Sequence, residues 1–329
     1  MLDRPAPEGA RALALAALKA LARARRKLGD RGDAAALHGF RVHLLKLRTA
    51  LRAYRSVLGD SVPRGVRRRL SALADAAGMC RDAEVRLEWL RNVRDRGELA
   101  DSPGIAWFER SLRRERRAAD HSFHKQLRRE FDAVTTRLRR RIKKHQAAHR
   151  DGEPRPVPAT RALMARAIMA ISGELRAHLA TATKHAGARA LHRTRMAVKR
   201  LRYLLEPVAR GDFAPAPLAE AAGDAVAQLR MLQDELGRCN DAHEFSQWLR
   251  AQPKEARPPE GLRADAARLR RRLANETKAG YAIVTRPGST VVHDCEAIAK
   301  MLRASAPQSL PPKSPDTRRA QAGRWRAPS

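Results

Sequence analysis

The sequence predicts an all-α protein, built as two four-helix bundles related by a pseudo-twofold axis. Three observations carry that prediction. Ala, Leu and Arg dominate the composition while aromatic residues make up only 4%, and these three are among the best helix formers. No segment alternates apolar and polar residues with period two, the mark of a half-buried strand. Finally, one basic amphipathic helix occurs twice, at residues 37–52 (LHGFRVHLLKLRTALR) and 191–206 (LHRTRMAVKRLRYLLE). The offset is constant from His38 to His192, Arg41 to Arg195 and Arg48 to Arg202 (192 − 38 = 154). A helix repeated half a chain later points to an internal duplication.

The elements follow in order. Residues 1–8, with Pro5 and Pro7, read as an N-terminal extension. A helix over 10–28 carries Leu13, Leu15, Leu18 and Leu21 on one side. It is Arg-rich and acid-poor like a transit peptide, but it lacks Ser and has the period of a bundle helix, which is the reading adopted. The first basic helix covers 34–58 and stops in the turn cluster Gly59 to Pro63. The next, 64–93, places Leu70, Leu73, Ala77, Leu87 and Leu90 on its apolar face and contains Gly78-Met-Cys80-Arg-Asp82-Ala-Glu84. After a loop at 95–104, a heavily basic helix runs over 105–149, with a break expected near Phe131 and Asp132. It holds Arg113, Arg114 and the run from Arg139 to Lys144.

Residues 151–158, with Pro154, Pro156 and Pro158, form the clearest linker. The second half then repeats the first: helices at 160–183 (Thr160 as N-cap), 188–206 (stopped by Pro207), 218–249, 262–284 and 291–303. The third of these contains Gly237-Arg-Cys239-Asn-Asp241-Ala-His-Glu244, offset from the Gly78 segment by 241 − 82 = 159. Asp75 and Asp234 share that offset. One domain therefore spans 9–305, with halves 9–150 and 159–305, and a disordered basic tail follows at 306–329.

The net charge is +33, from 68 basic and 35 acidic residues. Such an excess repels itself unless a polyanion neutralises it, so the partner classes are nucleic acid, an anionic membrane surface or another phosphate polymer. No apolar run approaches the ~20 residues of a membrane-spanning helix. The three cysteines, Cys80, Cys239 and Cys295, form neither a C-x-x-C pair nor a disulfide framework, which fits a reducing compartment and a cytoplasmic protein.

The candidate site lies on the repeated helix. Its first copy aligns His38, Arg41, Arg48 and Arg52 in one stripe, and its second aligns His192, Arg195, Lys199, Arg202 and Glu206, with Arg200 alongside. Each stripe borders the apolar seam, so it faces a groove between helices. Cations stacked one turn apart, about 5 Å, repel one another unless something anionic lies along them. A linear polyanion would match: Arg grips phosphate oxygens with a planar fork and Lys adds a mobile point charge. His38 and His192 would strengthen the grip once protonated, below about pH 6.5. Cys80 and Cys239 read as packing residues, and Asp82 and Asp241 as acceptors that hold the basic helix in place.

No metal site, nucleotide-binding loop, nucleophile elbow or zinc-protease motif is present, so the expected function is binding without catalysis and without a cofactor. A non-specific nucleic-acid-binding role is the alternative, weakened by the scarcity of aromatic residues for base stacking and the lack of any helix-turn-helix or zinc-finger pattern.

LHGFRVHLLKLR and KRLRYLLE, with the Cys-Arg-Asp-Ala-Glu and Cys-Asn-Asp-Ala-His segments, resemble the signature elements of the CHAD family, the conserved-histidine α-helical domain. The resemblance extends over about 9–305. It departs at His43 and Leu45, which leaves Lys46 to supply charge on the first helix. The resemblance implies two four-helix bundles whose basic central groove binds inorganic polyphosphate. Arg113 and Arg114, from the heavily basic helix, complete the candidate ligand set. The resemblance also makes polyphosphate granules, or a separate triphosphate-metabolising enzyme, expected associates. The Glu-x-Glu-x-Lys strand of that enzyme does not occur in this sequence.

Overall fold

The computed structural model describes residues 2–29, 33–97, 102–144, 158–184, 188–211, 214–252, 260–284 and 290–304. Among them the regular elements are all helical: α1 (Ala6–Lys27), α2 (Ala34–Ala53), α3 (Arg55–Leu58), a short 3-10 turn (Gly59–Ser61), α4 (Arg64–Asp95), α5 (Pro103–Lys143), α6 (Thr160–Lys184), α7 (Ala188–Ala209), α8 (Ala216–Ala251), α9 (Leu262–Val284) and α10 (Val291–Ala304). Local chemistry sets several starts. Asp33 caps α2 by accepting from the Ala36 amide at 2.9 Å. Ser102 caps α5 by accepting from Ile105, with Pro103 at the first helical position, where its missing N–H costs nothing. Pro63 and Pro215 occupy the matching N-cap positions of α4 and α8.

Packing closes two four-helix bundles. One runs α1–α2–α4–α5 and back to α1; the other runs α6–α7–α8–α10 and back to α6. The two halves of the chain meet through α1 with α6, α2 with α7 and α4 with α8, and α5 of the first half also packs on α9, which lies outside the two bundles. The main core includes Phe40, Leu44 and Leu47 of α2, Phe123 and Phe131 of α5, and Leu201 and Leu205 of α7. A second cluster forms beyond it, where the distal halves of α4 and α8 meet α9 and the start of α5. There Trp89 stacks edge-on against Phe245 at 5.4 Å, and Phe108 against Trp248 at 5.9 Å.

Several expectations are corrected. Residues 2–8 do not stand off as an extension: α1 begins at Ala6, Leu2 is buried, and residues 2–6 pair with 158–161 through Ala6 to Pro158, Thr160 to Arg4 and Arg161 to Leu2 amide–carbonyl bonds. Thr160 is the first helical residue rather than a cap; its hydroxyl donates to the Arg4 carbonyl at 2.8 Å. Helix α5 is unbroken through Phe131 and Asp132, since Phe131 is buried in the core and Thr135 donates back to its carbonyl at 2.8 Å. Pro207 does not stop α7, which ends at Ala209. Pro forfeits one i−4 hydrogen bond, and two residues from a helix end that loss is tolerated because packing of Val208 holds the turn. The linker up to 157 and the tail from 305 lie outside the described residues.

Candidate basic groove

The two signature helices, α2 and α7, pack against each other at the junction of the bundles, flanked by α4 and α8. This crossing gathers charge. His38 of α2 feels Arg81 of α4, its own neighbour Arg41, and Lys199 and Arg202 of α7; burial first, then these four cations, hold its pKa below the usual 6.5. His38 is nevertheless an exposed residue, so it stands at the surface of the crossing and not inside the core. Arg41 faces Arg195 and Arg81 among cations, and Asp82 and Asp241 among anions; burial and the cations lower its pKa against the pull of the carboxylates.

Lys199 is strongly perturbed. Burial, then Arg195, Arg41 and Arg202, bring its pKa down from 10.5 to about 7, with Asp241 alone pulling the other way. Arg195 contributes a buried Nε with no hydrogen-bond partner. Four cations and a histidine from two bundles thus converge on one place, with Arg81 beside them.

Asp82 of α4 and Asp241 of α8 form the acidic counterpart. Asp82 retains solvent-exposed surface, yet burial of its carboxyl raises its pKa, against Arg41 and Arg86, and Asp241 and Glu244 raise it further. The expectation that they accept hydrogen bonds from the basic helices is corrected: among the described residues neither accepts from α2 or α7, and both act on Arg41, as Asp241 does on Lys199, through charge alone.

One end of the crossing is tied. Glu206 of α7 pairs with Lys46 of α2 at 2.6 Å through one carboxylate oxygen and accepts from Arg202 at 2.9 Å through the other. Arg202 also donates to Gln233 of α8 at 3.0 Å and is almost fully buried. The Tyr203 ring lies beneath both cations, with Arg202 at 4.6 Å and Lys46 at 5.3 Å from its centroid.

The remaining predicted residues stand apart. Arg48 turns toward α4, where it donates to Ser71 at 3.1 Å and lies near Asp75. Arg200 faces α6 and pairs with Glu174 at 2.6 Å. Arg52 and His192 are exposed on their helices. Arg113 and Arg114 are exposed on α5; Arg113 reaches Glu109 at 3.8 Å and Arg114 donates to Ser111 of its own helix.

Sequence reasoning missed Arg81. It stands in the Cys80-Arg81-Asp82 segment, whose second copy has Asn240 at the matching position, so register alone concealed it. Arg81 is further held by Glu84 at 3.5 Å, and Glu84 also pairs with Arg116 of α5 at 3.3 Å.

Among the described residues, no group of three or more His, Cys, Asp or Glu side chains could hold a metal. No helix among them is long and apolar enough to cross a membrane. The three cysteines are buried as free thiols, and burial pushes Cys80 and Cys295 up to about 12. Those thiols stay protonated near neutral pH and are poor nucleophiles.

The family model of the CHAD domain matches residues 12–250. The chain belongs to the CHAD family. Two solved structures share its architecture. The CHAD domain from the plant Ricinus communis is 20% identical, over 92% of this chain and 93% of its own, with a TM-score of 0.64. PptA from Streptomyces chartreusis is 18% identical, over 91% of this chain and 100% of its own, also with a TM-score of 0.64. A comparison with curated proteins returned no match. At these identities the likeness carries the CHAD fold, which places the two signature helices at the bundle junction. The family is known in polyphosphate-related proteins.

Proposed function

We propose that this CHAD domain binds inorganic polyphosphate at the α2–α7 crossing, as a binding module and not as an enzyme. The observation that carries the reading is the cluster of Arg41, Arg195 and Lys199, none of them in a direct ion pair among the described residues: a lysine brought down to about 7 by burial and then by its cationic neighbours, beside a buried guanidinium nitrogen without a hydrogen-bond partner. A fold holds such a cluster against its own repulsion only at a cost, and a chain of phosphates would offset it. Phosphate oxygens would take Arg41 and Arg195 through their planar forks and Lys199 as a point charge. His38 would add a donor when protonated.

The family setting extends the proposal to an association with intracellular polyphosphate granules, or with a separate enzyme that makes or cleaves such chains. Non-specific nucleic-acid binding is the second reading, favoured by the exposed cations of α5, among them Arg113, Arg114, Arg117 and the run from Arg139 to Lys144.

A binding titration tests the site. Polyphosphate of defined length is titrated into the wild type and into the variant Arg41→Ala, Arg195→Ala, Lys199→Met at about 0.15 M salt. Losing two charge-assisted contacts and one point charge should weaken binding by about 100-fold or more, with helicity unchanged. Wild-type affinity in the triple variant would move the site elsewhere.

A further inference from the structure

We infer that Glu206 is an internal anion, seated at one end of the groove where a phosphate would otherwise lie, so that it limits how far a polyanion extends along α2 and α7. The inference rests on the proposed polyphosphate reading and adds a residue that sets its reach.

The geometry is that of a bound anion. One carboxylate oxygen meets the Lys46 ammonium of α2 at 2.6 Å, and the other meets the Arg202 guanidinium of α7 at 2.9 Å. An Arg and a Lys from two helices, converging on one two-oxygen anion, are the donor set that phosphate takes. The flanking Tyr203 ring, under both cations, holds them in place with or without Glu206. The carboxylate is mostly shielded, with 15% of the side chain's surface exposed, while Lys46 keeps 26%. Lys46 is therefore accessible enough to exchange partners.

The two halves differ here. The position matching Glu206 in the first half is Arg52 (206 − 154 = 52), which is exposed and bridges nothing in the groove. An ion pair needed only to join the bundles would have served as well in either copy. Glu206 also does not merely orient Arg202, because Gln233 already accepts from its Nε at 3.0 Å. Removing the carboxylate therefore leaves Arg202 aligned and frees one face of it, together with the whole of Lys46.

The test compares polyphosphate binding by the full chain and by Glu206→Gln across a salt series. Glu174→Gln serves as a control with the same charge change, because Glu174 holds Arg200 on the side facing α6. Freeing two cations should tighten binding about tenfold at ~0.1 M salt and steepen the plot of log affinity against log salt by about 1.4, at ~0.7 per phosphate neutralised. Glu174→Gln should give at most a small gain with no added steepness. Adding Lys46→Gln to Glu206→Gln should return about half of the extra slope. Unchanged or weakened binding in a folded Glu206→Gln, checked by its helicity and melting temperature, would overturn the inference and make Glu206 a positioning residue. An equal gain in both single variants would also overturn it, as a general charge effect. If the wild type itself does not bind polyphosphate, the functional proposal fails first and is seen to fail by itself.

Discussion

On the proposed reading, Lys199 makes polyphosphate binding proton-linked. Its pKa of about 7 in the folded protein lies below the usual 10.5, so between those values the unfolded chain holds more protons than the native one. Stability then rises with pH across that window, and the penalty of the buried charge is fully present below about pH 7. Lys199→Met should therefore melt higher than the wild type at pH 6–7, by on the order of 1–4 kcal/mol of stability, and the two melting curves should converge near pH 10.

Binding has the complementary sign. A polyanion raises the pKa of Lys199, so association takes up a proton above pH 7. Affinity should fall as pH rises from 7, by up to about tenfold per unit for a single proton, and level off below 7. Calorimetry in buffers of different ionisation enthalpy would measure that uptake, and Lys199→Arg should abolish it. His38 contributes only at lower pH than its type suggests, because burial and four cations hold it below 6.5.

At the scale of elements, the two halves exchange anchors at the distal end. Trp89 of α4 donates its indole N–H to Glu276 of α9 at 2.9 Å, and Trp248 of α8 donates to Glu115 of α5 at 2.8 Å. Arg272 and Arg86 lie over the two rings in turn. Each bond ties a helix of one half to a helix of the other, and so steadies the approach of α4 to α8 that carries Asp82 and Asp241. Trp89→Phe and Trp248→Phe should each cost about 1–2 kcal/mol in urea denaturation.

Close approach matters at the other contact. A Cβ on Gly9 of α1 would overlap the Thr160 side chain at the start of α6. Gly9→Ala should then destabilise by about 1–3 kcal/mol, the cost of overpacking. A melting temperature equal to the wild type would show that α1 and α6 can separate freely.

Helices and their pairing are legible in the sequence because period and offset are local signals. The stripe of His38 and Arg41, its echo in Arg195 and Lys199, and the apolar seam beside them can all be counted off. What cannot be counted is how two helices cross. Arg48 and Arg202 hold matching positions in the repeat, yet Arg48 turns to Ser71 on α4 while Arg202 feels His38 and Lys199. Glu206 looks like an end to one cationic wall; in three dimensions it reaches Lys46 on the other helix. Pro207 and the Phe131 region carry breaker signals that tertiary packing overrides.

For the whole molecule, the net charge of +33 divides, on the proposed reading, into two kinds. Exposed cations on α5 supply non-selective attraction that salt screens. On the proposed reading, selectivity comes from the cluster at the bundle junction, where cations of both bundles converge.

The most direct test of that claim is competition at fixed salt. Labelled polyphosphate bound to the full chain at about 0.15 M salt is displaced with unlabelled polyphosphate or duplex DNA at equal phosphate concentration. The account predicts that polyphosphate displaces at least about tenfold more effectively, and that Arg41→Ala, Arg195→Ala, Lys199→Met erases the difference. Equal displacement by DNA, or a preference that survives in the triple variant, would contradict it.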